Sequence, residues 1–187
     1  MADPIIVWTV WHGEHVNFAR LLDLLEKEVT TVQTGGKPRY DLMREIVYYL
    51  RHFPDRFHHP REDVAFARLI THDPALELPI NRLMQEHRVI AMAGDELLNY
   101  LNDVDSNASL MNRAKVEAAA ATYLVYYRHH LEKEEKEILP RAAQLLKQED
   151  WDAVAAVSAH PDPVFGEEFE ARYQELRRQI AIVAREP

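Results

Sequence analysis

Apolar residues recur every three to four positions through most of this chain, which is the period of an α-helix. The first such stretch spans about residues 8 to 29, with Trp11, His15, Phe18, Leu22, Leu25 and Val29 in one row. Residues 30–38, including Gly35, Gly36 and Pro38, have the composition of a loop. A second stretch, from about 40 to 71, carries Ile46, Tyr49, Leu50, Phe53, His58, Glu62, Phe66 and Leu69. Pro54 and Pro60 fall inside it and each removes a backbone donor, so a kink or break is expected near Pro54. After a turn at 72–75, a third stretch from about 77 to 101 aligns Ile80, Leu83, His87, Ile90, Gly94, Leu97 and Leu101. Residues 102–107 form a polar connection. A fourth stretch, about 109 to 146, turns Val116, Ala120, Tyr123, Tyr127, His130, Glu134 and Ile138 inward, with a bend expected at Pro140. A short helix over 150–159, a break at Pro161-Asp162-Pro163 and a last amphipathic helix over 167–184 complete the pattern.

Long helices joined by short loops favour antiparallel neighbours. The expected fold is therefore all-α: an up-down-up-down four-helix bundle over about 8–147, with additional C-terminal helices over about 148–187. All 187 residues fit one domain. Scarce glycine, 5 residues in all, suits the helical reading.

One short pattern occurs twice inside these helices. His58-His59-Pro60-Arg61-Glu62 and His130-Leu131-Glu132-Lys133-Glu134 each set a His four residues before a Glu, on one helix face about one turn apart. Two further helices carry Glu14-His15 and Glu86-His87. His15 and His87 come early in the odd helices, and the two His-Glu pairs come late in the even ones. In an up-down bundle these positions share one level. Glu62 and Glu134 lie on apolar stripes, where an unpaired carboxylate costs several kcal/mol. A cation offsets that cost. Four imidazoles and two carboxylates are too many donors for one ion and suit two, and such donors fit iron, zinc or manganese. The candidate metal ligands are His15, His58, Glu62, His87, His130 and Glu134. The other reading is ordinary packing, which would suffice for His15 or His87 taken alone.

Charge and composition narrow the possibilities. The net charge of −9 speaks against nucleic-acid binding. With no cysteine there are no thiolate sites, iron–sulfur clusters, disulfides or Cys nucleophiles. No apolar run reaches the length of a membrane span, and the start lacks a signal-peptide pattern, so a cytoplasmic location is expected.

The residues His15, His58-His59-Pro60-Arg61-Glu62, Glu86-His87 and His130 to Glu134, in this order and on helices of these lengths, resemble the hemerythrin-like family, or HHE cation-binding domain. Asp162-Pro163-Val164-Phe165-Gly166 is similar to a segment of bacterial members. The resemblance implies a non-haem di-iron centre, with the six candidate ligands around two iron ions and the two Glu bridging them. It implies binding of, or reaction with, O₂, peroxide or nitric oxide in sensing, storage or scavenging. Oxygen carriers of the family have a second His one turn before the third-helix ligand. Leu83 stands there in this chain, which favours reaction over reversible carriage unless His59, His12, a Tyr or water fills the position.

The neighbouring residues have milder expectations. His59 and His129 are rotated about 100° from the ligand positions and are expected to face solvent or support the ligands. His52, His72 and His160 are expected at the surface. Tyr49, Tyr123, Tyr126 and Tyr127 either line a small pocket with Leu83 or simply pack. Glu14 and Glu86 either orient imidazoles or are exposed. Residues 132–137, apart from Glu134, read as a solvated face. Competing functions are a two-metal hydrolase and a partner-binding bundle stapled by metal. A ferritin-like oxidase is disfavoured because no His has a Glu three residues before it.

Overall fold

The computed structural model describes residues 4–106, 110–157, 161–166 and 171–183. Helix α1 is Pro4–Gln33. The second rod joins α2 (Tyr40–Phe53) to α3 (His59–His72) through a π-helical turn, Pro54–His58. A 3₁₀ turn, Pro74–Leu76, leads into α4 (Glu77–Ser106). The fourth rod runs from α5 (Leu110–Lys133) through a second π turn, Glu134–Ile138, into α6 (Leu139–Leu145). Helix α7 is Gln148–Ala155, and α8 is Gln174–Val183 behind a 3₁₀ turn at Ala171–Tyr173. Among the described residues there is no strand. The rods pack in a ring: α1 on α2 and α5, and α4 on the same two. This is the expected four-helix bundle. Helix α7 closes one end against α1 and α3, while α8 lies on the outside of α2.

Two expectations about element ends need correction. Helix α1 continues beyond residue 29. Thr30 and Thr31 stay helical because their hydroxyls donate to the carbonyls of Glu26 and Lys27, at 2.9 and 3.0 Å. The helix stops where Gly35 takes φ +75°, and the amides of Gly35 and Gly36 donate to Val32 and Thr31 in a Schellman closure. Helix α4 likewise continues through the residues read as a polar connection, to Ser106. The outer parts of the last two predicted helices, with His160, fall outside the described residues.

Pro54 does not break the second rod. The chain widens there into one π turn, closed by the His59 amide on the Pro54 carbonyl. The fourth rod does the same at Glu134–Ile138, closed by the Leu139 amide on the Glu134 carbonyl. In each rod a proline, Pro60 or Pro140, follows two residues after the wide turn. A proline nitrogen cannot donate, so a local change of helical register is a way past it without a break. Single π turns inside α-helices are frequent at functional sites.

The core divides in two. A larger cluster includes Phe18, Tyr49, Phe53, Ile90, Tyr123, Tyr127 and Leu131. A smaller one at the α7 end includes Trp11, Phe66, Leu69, Ile80, Leu83, Ile138 and Trp151. Along every rod the side chains between the two clusters are the predicted site residues: His15, His58 with Glu62, His87, and His130 with Glu134. A polar layer thus crosses the bundle between two apolar compartments.

Candidate metal centre

Each predicted site residue reaches this layer from its own rod, and the six meet. His15 Nε2 lies 2.8 Å from His58 Nε2. Glu62 Oε1 lies 3.3 Å from His15 Nε2 and 3.1 Å from His58 Nε2, while its Oε2 lies 3.7 Å from His87 Nε2. Glu134 runs the other way, with Oε1 at 3.1 Å from His130 Nε2 and 3.6 Å from His87 Nε2. Its Oε2 is 3.6 Å from His15 Nε2. Each carboxylate therefore spans two half-sites, His15 with His58 and His87 with His130.

All six are buried, and the two Glu are fully so. Neither oxygen of Glu62 or of Glu134 makes a hydrogen bond, nor do Nε2 of His87 and His130. Four carboxylate oxygens without partners in an apolar interior are what a cation would satisfy. Three clusters have metal-ligand spacing: His15, His58 and Glu62; Glu62, His87 and Glu134; and His59, His87 and His130. The donor set fits a borderline metal of the iron, zinc or manganese kind.

Electrostatics give the layer its proton affinity. Burial disfavours a charged His15, yet the Glu135 hydrogen bond and the Glu62 and Glu134 charges outweigh it and push the imidazole up to about 10. His87 is also pushed up to about 10, with Asp63 and both site carboxylates overcoming burial. His58 and His130 are raised against burial chiefly by the charges of Glu62 and Glu134 respectively. Burial would raise both carboxylates, and for Glu134 the Glu62 charge adds to it. The facing imidazoles win, so both lie below the usual range. Charge that holds protons this strongly is equally available to a cation, whose binding would release them.

The other Nδ1 atoms are held from outside. Glu135 takes His15 at 2.7 Å and Glu14 takes His58 at 2.6 Å. Glu86 takes His130 at 3.2 Å, and Asp63 lies 3.5 Å from His87. Arg61, buried, donates to both oxygens of Glu14, and Lys133 donates to Glu86. So Glu14 and Glu86 are orienting groups and serve a His on another rod, not their chain neighbours. Glu135, Asp63 and Arg61 were missed. Glu135 hides in a run of charges that reads as solvated, and nothing in the spacing marks it.

Other expectations divide. His52 and His129 are exposed, as expected. His72 is half-buried, with Nε2 2.7 Å from Asp150 on α7, so it joins elements. His12 is exposed, stacks on Trp8 and meets Glu135 at 3.0 Å. It is not at the centre. His59 takes the second of its two expected places, beside the ligands and out of solvent. It is buried at 6% exposure, stacks on His87 and meets Asp55 at 2.9 Å through Nδ1. Burial and the adjacent His87 charge push it down to about 4. Tyr49, Tyr123 and Tyr127 are buried while Tyr126 is exposed. Leu83 packs in the smaller core cluster, apart from the tyrosines. The small cavity beside the centre, about 240 Å³, is lined instead by Asp55, His59, Pro60, Asp63, Met84, His87, Arg88 and Ala91.

A bundle of four antiparallel rods with histidines and glutamates converging between its core halves defines a cation-binding helical domain. The family model for the hemerythrin HHE cation-binding domain matches residues 7–142. The chain belongs to that family. A comparison with curated proteins finds no match. Among the described residues, no helix is long and apolar enough to cross a membrane.

Proposed function

We propose that this chain is a non-haem di-iron protein that binds or reacts with O₂ or a related small oxidant, such as peroxide or nitric oxide, in sensing, storage or scavenging. Two iron ions would be held by His15, His58, Glu62, His87, His130 and Glu134, with both Glu shared between them. Zinc or manganese could use the same donors. The observation that carries the reading is the set of four unpartnered carboxylate oxygens, each facing an imidazole nitrogen of a half-site. Iron there would supply electron transfer and an open coordination position.

The protein's own groups would set access and orientation. Glu14, Glu86 and Glu135 hydrogen-bond the rings of His58, His130 and His15, which keeps their donor atoms aimed inward. The phenols of Tyr123 and Tyr127 are buried without a hydrogen-bond partner. Burial foremost pushes both well above the usual phenol range, so each stays a proton-bearing donor. The open cleft at His59 and His87, about 240 Å³, gives a small molecule a way in beside the centre.

Anaerobic loading with ferrous iron tests the proposal. Metal analysis should return two irons per chain, and air should bring up the charge-transfer absorption of a coupled ferric pair. Uptake of zinc alone, with no redox-dependent spectrum, would transfer the site to a hydrolytic or stapling role.

A further inference from the structure

Five imidazoles, not four, stand in the polar layer, each with a carboxylate near Nδ1. His15, His58 and His130 each have a carboxylate from another rod hydrogen-bonded at Nδ1, and His87 has Asp63 3.5 Å away, an arrangement that turns Nε2 toward Glu62 and Glu134. His59 has Asp55 at 2.9 Å from Nδ1, one turn back on its own rod. A carboxylate on one ring nitrogen fixes the tautomer and aims the other nitrogen away from it. One ring nitrogen of His59 lies within 4.8 Å of donor atoms of His87 and His130. Its ring stacks on that of His87, 3.9 Å between centroids and 11° between planes, so binding one ion through both rings needs one of them to turn edge-on.

The helix geometry explains how neighbours can serve different half-sites. Residues adjacent on a helix are about 100° apart. His58 therefore swings toward His15 and His59 toward His87, with Glu62 one turn on and between them. The half-site of His15 and His58 has two imidazoles. The other half-site has His87 and His130, and Leu83, one turn before His87, is apolar and packed away in the core.

Resting on the di-iron reading, we propose that His59 is a fifth imidazole ligand, joining His87 and His130 on the second ion and standing in for the donor that Leu83 does not provide. Asp55 is its positioning residue.

The test is ferrous titration under chelator competition, with X-ray absorption of the loaded protein. Wild type should take up two irons and show five imidazoles per pair. His59→Ala should keep one tight iron and bind the second at least about tenfold more weakly. Adding Leu83→His to His59→Ala should restore the second iron, because it places an imidazole one turn before His87. Should His59→Ala not fold, Asp55→Asn leaves the ring in place and should weaken the second iron alone. Two tight irons in His59→Ala, or four imidazoles per pair in wild type, would overturn the assignment while the di-iron reading stands. Failure of wild type to bind two irons would overturn both.

Discussion

Glu14 shows how much of the centre depends on groups that would touch no metal. It accepts two hydrogen bonds from Arg61 and holds His58 Nδ1 at 2.6 Å. Glu14→Gln keeps the shape but weakens the hold on the ring. Metal affinity should fall about 10- to 100-fold with the fold intact, read by chelator competition and circular dichroism. Glu62→Ala and Glu134→Ala remove the shared oxygens and should lower both metal content and the melting temperature of the loaded protein. Unchanged metal content in both would reject the ligand assignment. The residue pattern made these six side chains legible, because helical spacing and bundle direction alone bring them to one level. It left His59 as one of several candidates for a further ligand and hid Glu135. Each sits one position from a predicted ligand, where a straight α-helix turns a side chain aside. Which rod stands on that side is a tertiary fact.

At the scale of elements, spacing gave the rods but not their local winding. Prolines 54, 60 and 140 read as bends or breaks, and the chain answers with two wide turns that keep the rods whole. One wide turn ends at His58 and the other begins at Glu134. Gly94 shows a tight contact between rods. A Cβ there would lie 3.1 Å from Tyr123 Cε2 and 3.4 Å from Arg51 Cδ. Gly94→Ala gains about 1 kcal/mol in helix propensity. Overpacking against the fully buried Tyr123 costs about 1–3 kcal/mol, so a net loss near 1 kcal/mol is expected in urea denaturation. Helix α7 is tied down by Asp150, which accepts from the Lys147 amide at 2.9 Å and meets His72 at 2.7 Å. Burial would raise this carboxyl, but those two partners hold it below its ordinary value of 3.8. A depressed carboxyl contributes stability above its ordinary value and loses it as pH falls through the folded one. Asp150→Asn should therefore cost about 1–2 kcal/mol at pH 7. That difference from wild type should shrink on acidification below 3.8, measured by denaturation at several pH values.

For the molecule as a whole, a bound cation adds its binding free energy to folding. Free metal a hundredfold above Kd contributes about 2.7 kcal/mol. In a chain of this size that should raise Tm by about 5–10 °C over chelator-treated protein, followed by differential scanning calorimetry. The polar layer adds something to the shape of that transition. Two apolar compartments are joined across it by the continuity of four rods and by the charges between them, since neither cluster spans the layer. If metal bridges the half-sites, the compartments should melt as one cooperative unit, with calorimetric and van't Hoff enthalpies in agreement. Under chelation the smaller compartment beneath α7 should uncouple and melt first, so that the van't Hoff enthalpy falls below the calorimetric one. The candidate ligands, placed where the core is interrupted, would then set how many independent folding units the chain contains.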